Sequence, residues 1–395
     1  MVVGQPRKLL VLCDVVGQEG GTESLLSRIL PLLEPRGVAV SVRARDVRDP
    51  SAFGVPTQQI AWGADESPSS AEAAAEVEAA IAALQPDAIF MSSVFDPRVV
   101  RAARTARRAI AHLHDHRAFC PQGDRVYPQF RATCDRPMGV ACIVNSVVHG
   151  CAEGPRPGTM RKLRDREVLR DALRTLDGIN VGSRFMSRLC AKNGIDSGRV
   201  NVIAPAVDPA ALEMPSAPMP SERRVLFAGR LVRDKGFDSL IRAIARIPIA
   251  VRPPLDVCGT QTAESDETLA LAQQLGVLVT MHGRQSSAAL IASIDAASVV
   301  AVPSLWPEPF GMMGIEAYAR GRPVVAYAVG GIPEWLDTGG IAVPAGDEAA
   351  FAQALLQVLE PGHWKQLATE GRRLAQQYAP EAYLRRWLPV LFPGS

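Results

Sequence analysis

The chain has 395 residues, 47% of them hydrophobic, with 43 basic against 41 acidic side chains for a formal net charge of +2. That length is enough to bury two ordinary cores, so two domains are expected. A nearly balanced charge gives no support to a nucleic-acid binder or an acidic tail and leaves a small-molecule enzyme as the expected class.

In chain order, the apolar opening "KLLVLCDVV" is broken by Asp14 and lacks a small-residue cleavage site, so it reads as a first buried strand rather than a signal peptide. No run reaches the roughly 18 uninterrupted apolar residues of a membrane span, and a cytoplasmic location follows as the expectation. Further short Val, Ile and Leu runs appear as "VAVSVRAR", "DAIFMSS", "GINVGS" and "VNVIAP" in the first half. The second half repeats the theme with "RRVLFAG", "LDVCG", "VLVTMHG", "VVAVPS" and "PVVAYA". Near-continuous apolar strands alternating with helical patterns belong to parallel sheets covered on both faces, so two doubly wound α/β domains are expected. The Ala/Glu-rich stretch 69–84 is read as a helix and not a repeat, because its period does not recur. Residues 98–112 space Arg98, Arg101, Arg104 and Arg107 three apart, which predicts a basic stripe on a helix. Such a stripe suits peripheral contact with an anionic membrane, against the plainer reading of a solvated face. Pro209, Pro215, Pro218 and Pro220 mark 209–222 as a linker between a first domain, 1–208, and a second, 223–377. The end, about 378–395, reads as a helix with an apolar face that packs back on the first domain.

Of seven cysteines, Cys120, Cys134, Cys142 and Cys151 fall in one loop-rich segment with little apolar periodicity. A structural zinc site, disulfides or independent buried thiols all fit, with a tied cluster favoured although paired C-x-x-C spacing is absent.

The chemistry concentrates in three strand-to-helix loops. Glu308 and Glu316 stand eight positions apart in "PEPFGMMGIEA", where the prolines disfavour helix until about Met312 and Gly321 and Pro323 end it near Arg320. Glu308 therefore falls in the loop at the carboxyl end of "VVAVPS" and Glu316 early in the next helix, where open α/β sheets bind ligands. A pair of carboxylates also suits glycoside hydrolysis, and in isolation a solvated loop acid with a first-turn helix acid would explain it equally well. "GRLVRDKG" sets Arg230 and Lys235 in a second such loop, able to neutralise a diphosphate where a lone charged loop would more often be mere solvated surface. Gly20 and Gly21 sit between the first strand and first helix and permit close backbone approach, without the G-x-G-x-x-G dinucleotide fingerprint.

Taken with "EGGTE", "LHDH" at 113–116, "NVGSRF", "IAPAVD" and "GGIPE", these segments resemble retaining glycosyltransferase family 4 over nearly the whole length. The resemblance implies the GT-B architecture, two Rossmann-like domains facing a central cleft. It implies that Arg230 and Lys235 hold the diphosphate of a nucleotide-sugar donor, and that Glu316 takes the ribose hydroxyls. Glu308 would contact the sugar, Phe310, Gly311, Met312 and Met313 would lie along sugar and phosphate, and Gly20 and Gly21 would approach the diphosphate. Arg284 falls in the stretch expected to shape the donor pocket, and His114 matches the histidine near sugar and acceptor. No metal or other cofactor is required, the acceptor is a hydroxyl compound, and nucleic acid is not a partner. Ala206 in place of a usual Gly, and "CGT" at 258–260 without its second Gly, depart from the pattern away from the charged residues. The competing readings are a catalytically silent sugar-nucleotide-binding protein and another GT-B enzyme such as a phosphorylase, for whose pyridoxal lysine no extended match is visible.

Overall fold

The computed structural model describes residues 6–17, 20–60, 62, 71–127, 132–151 and 156–394. The chain forms two compact units, the first from Met1–Gln129, Cys134–Ala206 and Pro380–Ser395, the second from Phe130–Thr133 and Val207–Ala379. Both are α/β.

The first unit contains strands β1 (Arg7–Val16), β2 (Val38–Val47), β3 (Thr57–Gln59), β4 (Ala88–Ser92), β5 (Ala109–Leu113), β6 (Gly178–Val181) and β7 (Val200–Val202). They form one seven-stranded sheet in the order β3-β2-β1-β4-β5-β6-β7, and every pair in it is parallel. Successive residues of β1 feed opposite cores: Leu10 and Leu12 join one buried cluster, Leu9, Val11 and Cys13 the other. This two-sided burial is why the strand reads as an unbroken apolar run. The helix Pro380–Leu391 belongs to this unit, with Tyr383, Leu384, Trp387 and Leu391 in the same cluster as Leu9 and Val11. Trp387 is fully buried and meets Phe90 edge-on at 4.8 Å between ring centroids.

The second unit contains β8 (Val225–Ala228), β9 (Leu255–Cys258), β10 (Val279–Gly283), β11 (Val299–Val302), β12 (Val324–Tyr327) and β13 (Gly340–Val343). Their order, β10-β9-β8-β11-β12-β13, reverses between β8 and β11, the crevice where doubly wound sheets receive ligands. The expected α/β class with two doubly wound parallel sheets is what the chain adopts.

Two expectations need correction, those on residues 98–112 and on the clustered cysteines, while the stretch 209–222 is more closely held than its prolines suggest. Residues 98–112 are not one helix: Pro97–Ala103 is helical, and "AIAHL" enters the sheet as β5. Arg104 therefore donates to the Thr175 carbonyl, Arg107 pairs with Asp87 and Arg108 donates to the Val390 carbonyl, so the predicted stripe does not exist. The stretch 209–222 opens with the helix Pro209–Glu213 and is pinned rather than free. The buried guanidinium of Arg320 donates to the carbonyls of Ala211, Met214 and Pro215, and that of Arg322 to those of Ala217 and Pro218.

Finally, all four clustered cysteines are free thiols, and no three metal-ligating side chains stand at ligand spacing among the described residues. The segment is organised instead by Arg125, whose backbone has φ +55° and whose buried guanidinium donates to the carbonyls of Phe119, Cys134 and Arg136. The Cys134 thiol donates to the Tyr127 hydroxyl at 3.2 Å, and the Tyr127 ring meets His149 edge-on at 4.8 Å. Burial, and then the neighbouring Cys120, Cys134 and Cys142, push the Cys151 thiol up to about 11.

Candidate active site

In the second unit the loops after β8 and β11 are locked together by backbone. Gly236 has φ +70°, and a Cβ there would lie 1.8 Å from the Pro303 carbonyl oxygen, so only glycine permits this approach. The amides of Leu305 and Trp306 both donate to the Asp234 carbonyl at 2.9 Å. This seam brings the Lys235 ammonium 2.6 Å from Glu308 Oε1 and 4.5 Å from the centre of the Trp306 ring. Both charges are largely withdrawn from water, with side-chain exposures of 19% for Lys235 and 11% for Glu308. Arg230 lies exposed at the start of the same loop.

Glu308 is held from its other side. Gly330 has φ +58°, and its missing Cβ would fall 2.3 Å from the Glu308 carbonyl oxygen, which accepts from the Gly331 amide at 2.7 Å. This gives "GGIPE" a structural role. Gly311, with φ +91°, then starts the helix Met312–Ala319, whose first turn receives no side-chain cap. Unclaimed N–H groups at a helix start favour an anion. Trp335 donates to the Phe310 carbonyl at 2.6 Å and fixes the turn before that helix. Glu316 is half-buried in the second turn, and Arg284 is exposed just after β10.

The first unit holds the remaining predicted residues. Gly20 precedes the helix Gly21–Ile29, which also begins without a side-chain cap. His114 follows β5, with Nε2 3.0 Å from the Ser92 hydroxyl at the end of β4 and its ring stacked on His112 at 3.9 Å. Burial lowers His114 to about 4, and burial followed by the charge of His114 lowers His112 well below its usual value. Beside them, Arg117 chelates Asp115 through its amide and Nε, each at 2.8 Å, and stacks over Phe95 at 4.0 Å. Burial lifts Asp115 to about 6.

The structure thus joins Lys235 to Glu308, has Phe310 and Gly311 lead from Glu308 into the helix that begins at Met312, and puts Gly20, Gly21 and His114 in the other unit. Sequence reasoning missed Trp306, the Asp234 carbonyl and Ser92. Trp306 is two positions from Glu308, and Ser92 ends a strand at its carboxyl edge, so position alone could have flagged both.

The His114 value makes a sign-specific expectation. An unfolded histidine titrates near 6.5, so as pH falls from there toward 4 the unfolded chain takes up a proton that folded His114 resists. Stability contributed by the neutral ring is complete above about 6.5 and is lost on the way down. Asp115 works the other way, because its raised folded value favours the folded chain as pH falls toward 4. Denaturation midpoints of His114→Asn should therefore fall less between pH 7 and 5 than those of the parent. Identical slopes would remove the assignment.

Each unit is built on an open parallel sheet, and in the second a carboxylate-paired lysine stands at the switch point. Residues 214–376 of the chain match the family model described as "Glycosyl transferases group 1". Among curated proteins, it is 31% identical to a D-inositol 3-phosphate glycosyltransferase of Mycolicibacterium smegmatis over 234 residues, 56% of this chain and 52% of that one. It is 34% identical to the Mycobacterium tuberculosis protein of the same name over 196 residues, 46% of this chain and 39% of that one. The chain spans about half or less of the length of these relatives. Among solved structures, it shares its fold with Anabaena Alr3699/HepE in complex with UDP, at TM-score 0.71 and 19% identity over 97% of this chain and 99% of that one. A glycosyltransferase from Rickettsia africae gives TM-score 0.72 and 14% identity over 98% and 100%. No described helix is long and apolar enough to cross a membrane.

Proposed function

We propose that the chain transfers a sugar from a nucleotide-diphosphate sugar to a hydroxyl acceptor, with retention of anomeric configuration and without a metal ion. The observation that carries this reading is the 2.6 Å contact of Lys235 with Glu308 at the switch point of the second sheet. A lysine and a carboxylate fixed side by side, next to an uncapped helix start, match a donor with an anionic diphosphate and a polyhydroxyl sugar.

In this reading Arg230 and Lys235 stabilise the charge that develops on the departing diphosphate, which is usually the main way such a site lowers its barrier. Glu308 accepts from sugar hydroxyls, Glu316 from the ribose, and Phe310, Gly311, Met312 and Met313 line the sugar and phosphate. Arg284 shapes the donor pocket, and Gly20 and Gly21 bring backbone amides to the diphosphate. The bond from the anomeric carbon to the phosphate oxygen breaks as the acceptor oxygen bonds to the same face. The acceptor proton passes to the leaving phosphate oxygen. His114, neutral because burial holds it near 4, orients the acceptor hydroxyl and is itself held by Ser92.

The names of the curated relatives make inositol phosphate the first acceptor to test, beside glycans and lipid-linked sugars. The proposed location is the cytoplasm, with peripheral contact at the inner membrane face. A panel of UDP, GDP and ADP sugars with these acceptors, read by mass spectrometry for product and by NMR for anomeric configuration, tests the reading. One donor should be consumed, with retention and undiminished by chelator. Donor binding without turnover would establish a silent binding protein instead, and inversion or loss of activity with chelator would overturn the mechanism.

A further inference from the structure

The segment that carries the four cysteines also carries a helix with its faces reversed. Ala141–Val148 turns Val140, Val144, Val147 and Val148 outward, at 75%, 59%, 53% and 57% exposure, while its polar Asn145 is buried at 6%. The spacing of those valines, zero, four, seven and eight, makes them a single stripe. Met160, 55% exposed, adds to the apolar surface from the first turns of the helix Arg156–Leu173, which packs against this one. Among the described residues, five of the eleven large hydrophobic side chains found exposed thus fall between positions 140 and 160. Scattered exposed hydrophobics need no explanation, whereas a contiguous stripe on a helix marks an interaction surface.

Charge identifies the occupant. Arg136, Arg161 and Arg164 are exposed around this stretch and form no ion pair among the described residues. Among the described residues of 132–164 the one exposed acid, Asp135, is occupied by Lys192 at 2.5 Å. An apolar stripe bordered by unpaired arginines matches a bilayer surface with anionic headgroups: the valines enter the acyl boundary and the guanidinium groups meet phosphate. We propose that this face of the first unit docks on an anionic membrane. The proposal goes beyond the catalytic reading and holds whichever sugar is moved. It also relocates the membrane contact that the arginine spacing of 98–107 had suggested.

The test is sedimentation of the full chain with vesicles, without donor or acceptor, so that a failed catalytic assignment leaves it unaffected. Vesicles of phosphatidylcholine with phosphatidylglycerol should bind the protein at least tenfold more tightly than phosphatidylcholine alone, and high salt should weaken the binding. Arg161→Glu with Arg164→Glu should weaken binding by more than about tenfold, given roughly fivefold for each basic group near such a surface. Val144→Asp with Val147→Asp should do the same while leaving the melting temperature unchanged, since both side chains already face water. No binding by the parent chain would overturn the proposal, as would binding that the valine variant retains. So would a parent dimer that the valine variant converts to monomer without any vesicle binding, because the stripe would then belong to a second copy of the chain.

Discussion

Lys235→Met is expected to lower turnover by roughly a hundredfold to a thousandfold, the effect of removing one preorganised donor from a developing oxyanion. Methionine keeps an unbranched apolar stem over Trp306, so the packing survives and the charge is lost. The same variant should also lose stability, because it leaves Glu308, 8% exposed as a residue, without its ion partner. Breaking a buried pair by removing one member costs about 3–5 kcal/mol, and the residual exposure of both side chains here places the expectation at the low end. Adding Glu308→Gln removes the stranded charge and should restore most of the stability while turnover stays low. Arg230→Ala provides the contrast, since the side chain is exposed. Its stability should change by less than about 0.5 kcal/mol, yet its turnover should fall by about a hundredfold through the same lost stabilisation. Steady-state rates together with denaturation curves for the four proteins separate the effects. Near-normal rates in both Lys235→Met and Arg230→Ala would remove the diphosphate assignment.

The parts of this architecture that could be read in advance are those encoded locally. Buried parallel strands advertise themselves as unbroken Val, Ile and Leu runs, and the loops after β8 and β11 follow from where those runs stop. The polar edge strand Thr57–Gln59 and the glycine-flanked Gly340–Val343 carry no such signal and went unrecognised. Residues 98–112 misled for a definite reason. Arginines three apart look helical in isolation, and only insertion of Ala109–Leu113 between β4 and β6 decides otherwise. The cysteine segment is a parallel case. Clustered thiols suggest a tie, whereas the interaction that holds the loop is a buried arginine satisfying three carbonyls, a role the sequence around Arg125 does not disclose. In the candidate site, the charged residues were legible because few reasons exist to place two carboxylates, an arginine and a lysine at strand ends. Their pairing was not, because it depends on the approach of two backbones at Gly236 and Pro303.

That approach yields the second large effect. Gly236→Ala faces two separate penalties. The first is conformational: φ +70° is left-handed, which costs a residue with a Cβ about 1–2 kcal/mol. The second is steric, because the new methyl would sit 1.8 Å from the Pro303 carbonyl oxygen, a backbone atom immediately after β11 and not a flexible side-chain end. Relief requires the two loops to separate, which breaks the hydrogen bonds of Leu305 and Trp306 to the Asp234 carbonyl and carries Lys235 away from Glu308. A loss of about 3 kcal/mol or more is expected, in the range reserved for backbone strain and broken networks. Donor affinity and turnover should fall with it even at temperatures where the variant remains folded. Gly37→Ala is the matched control: its φ of +71° is nearly identical, but its Cβ would meet nothing within 4 Å and it lies in the first unit. It should cost only the conformational share of about 1–2 kcal/mol and leave turnover unchanged. Thermal denaturation and donor titration of the two variants side by side would decide. Equal losses of stability in both would show that the seam between Gly236 and Pro303 tolerates separation, and that the position of Lys235 is set by something else.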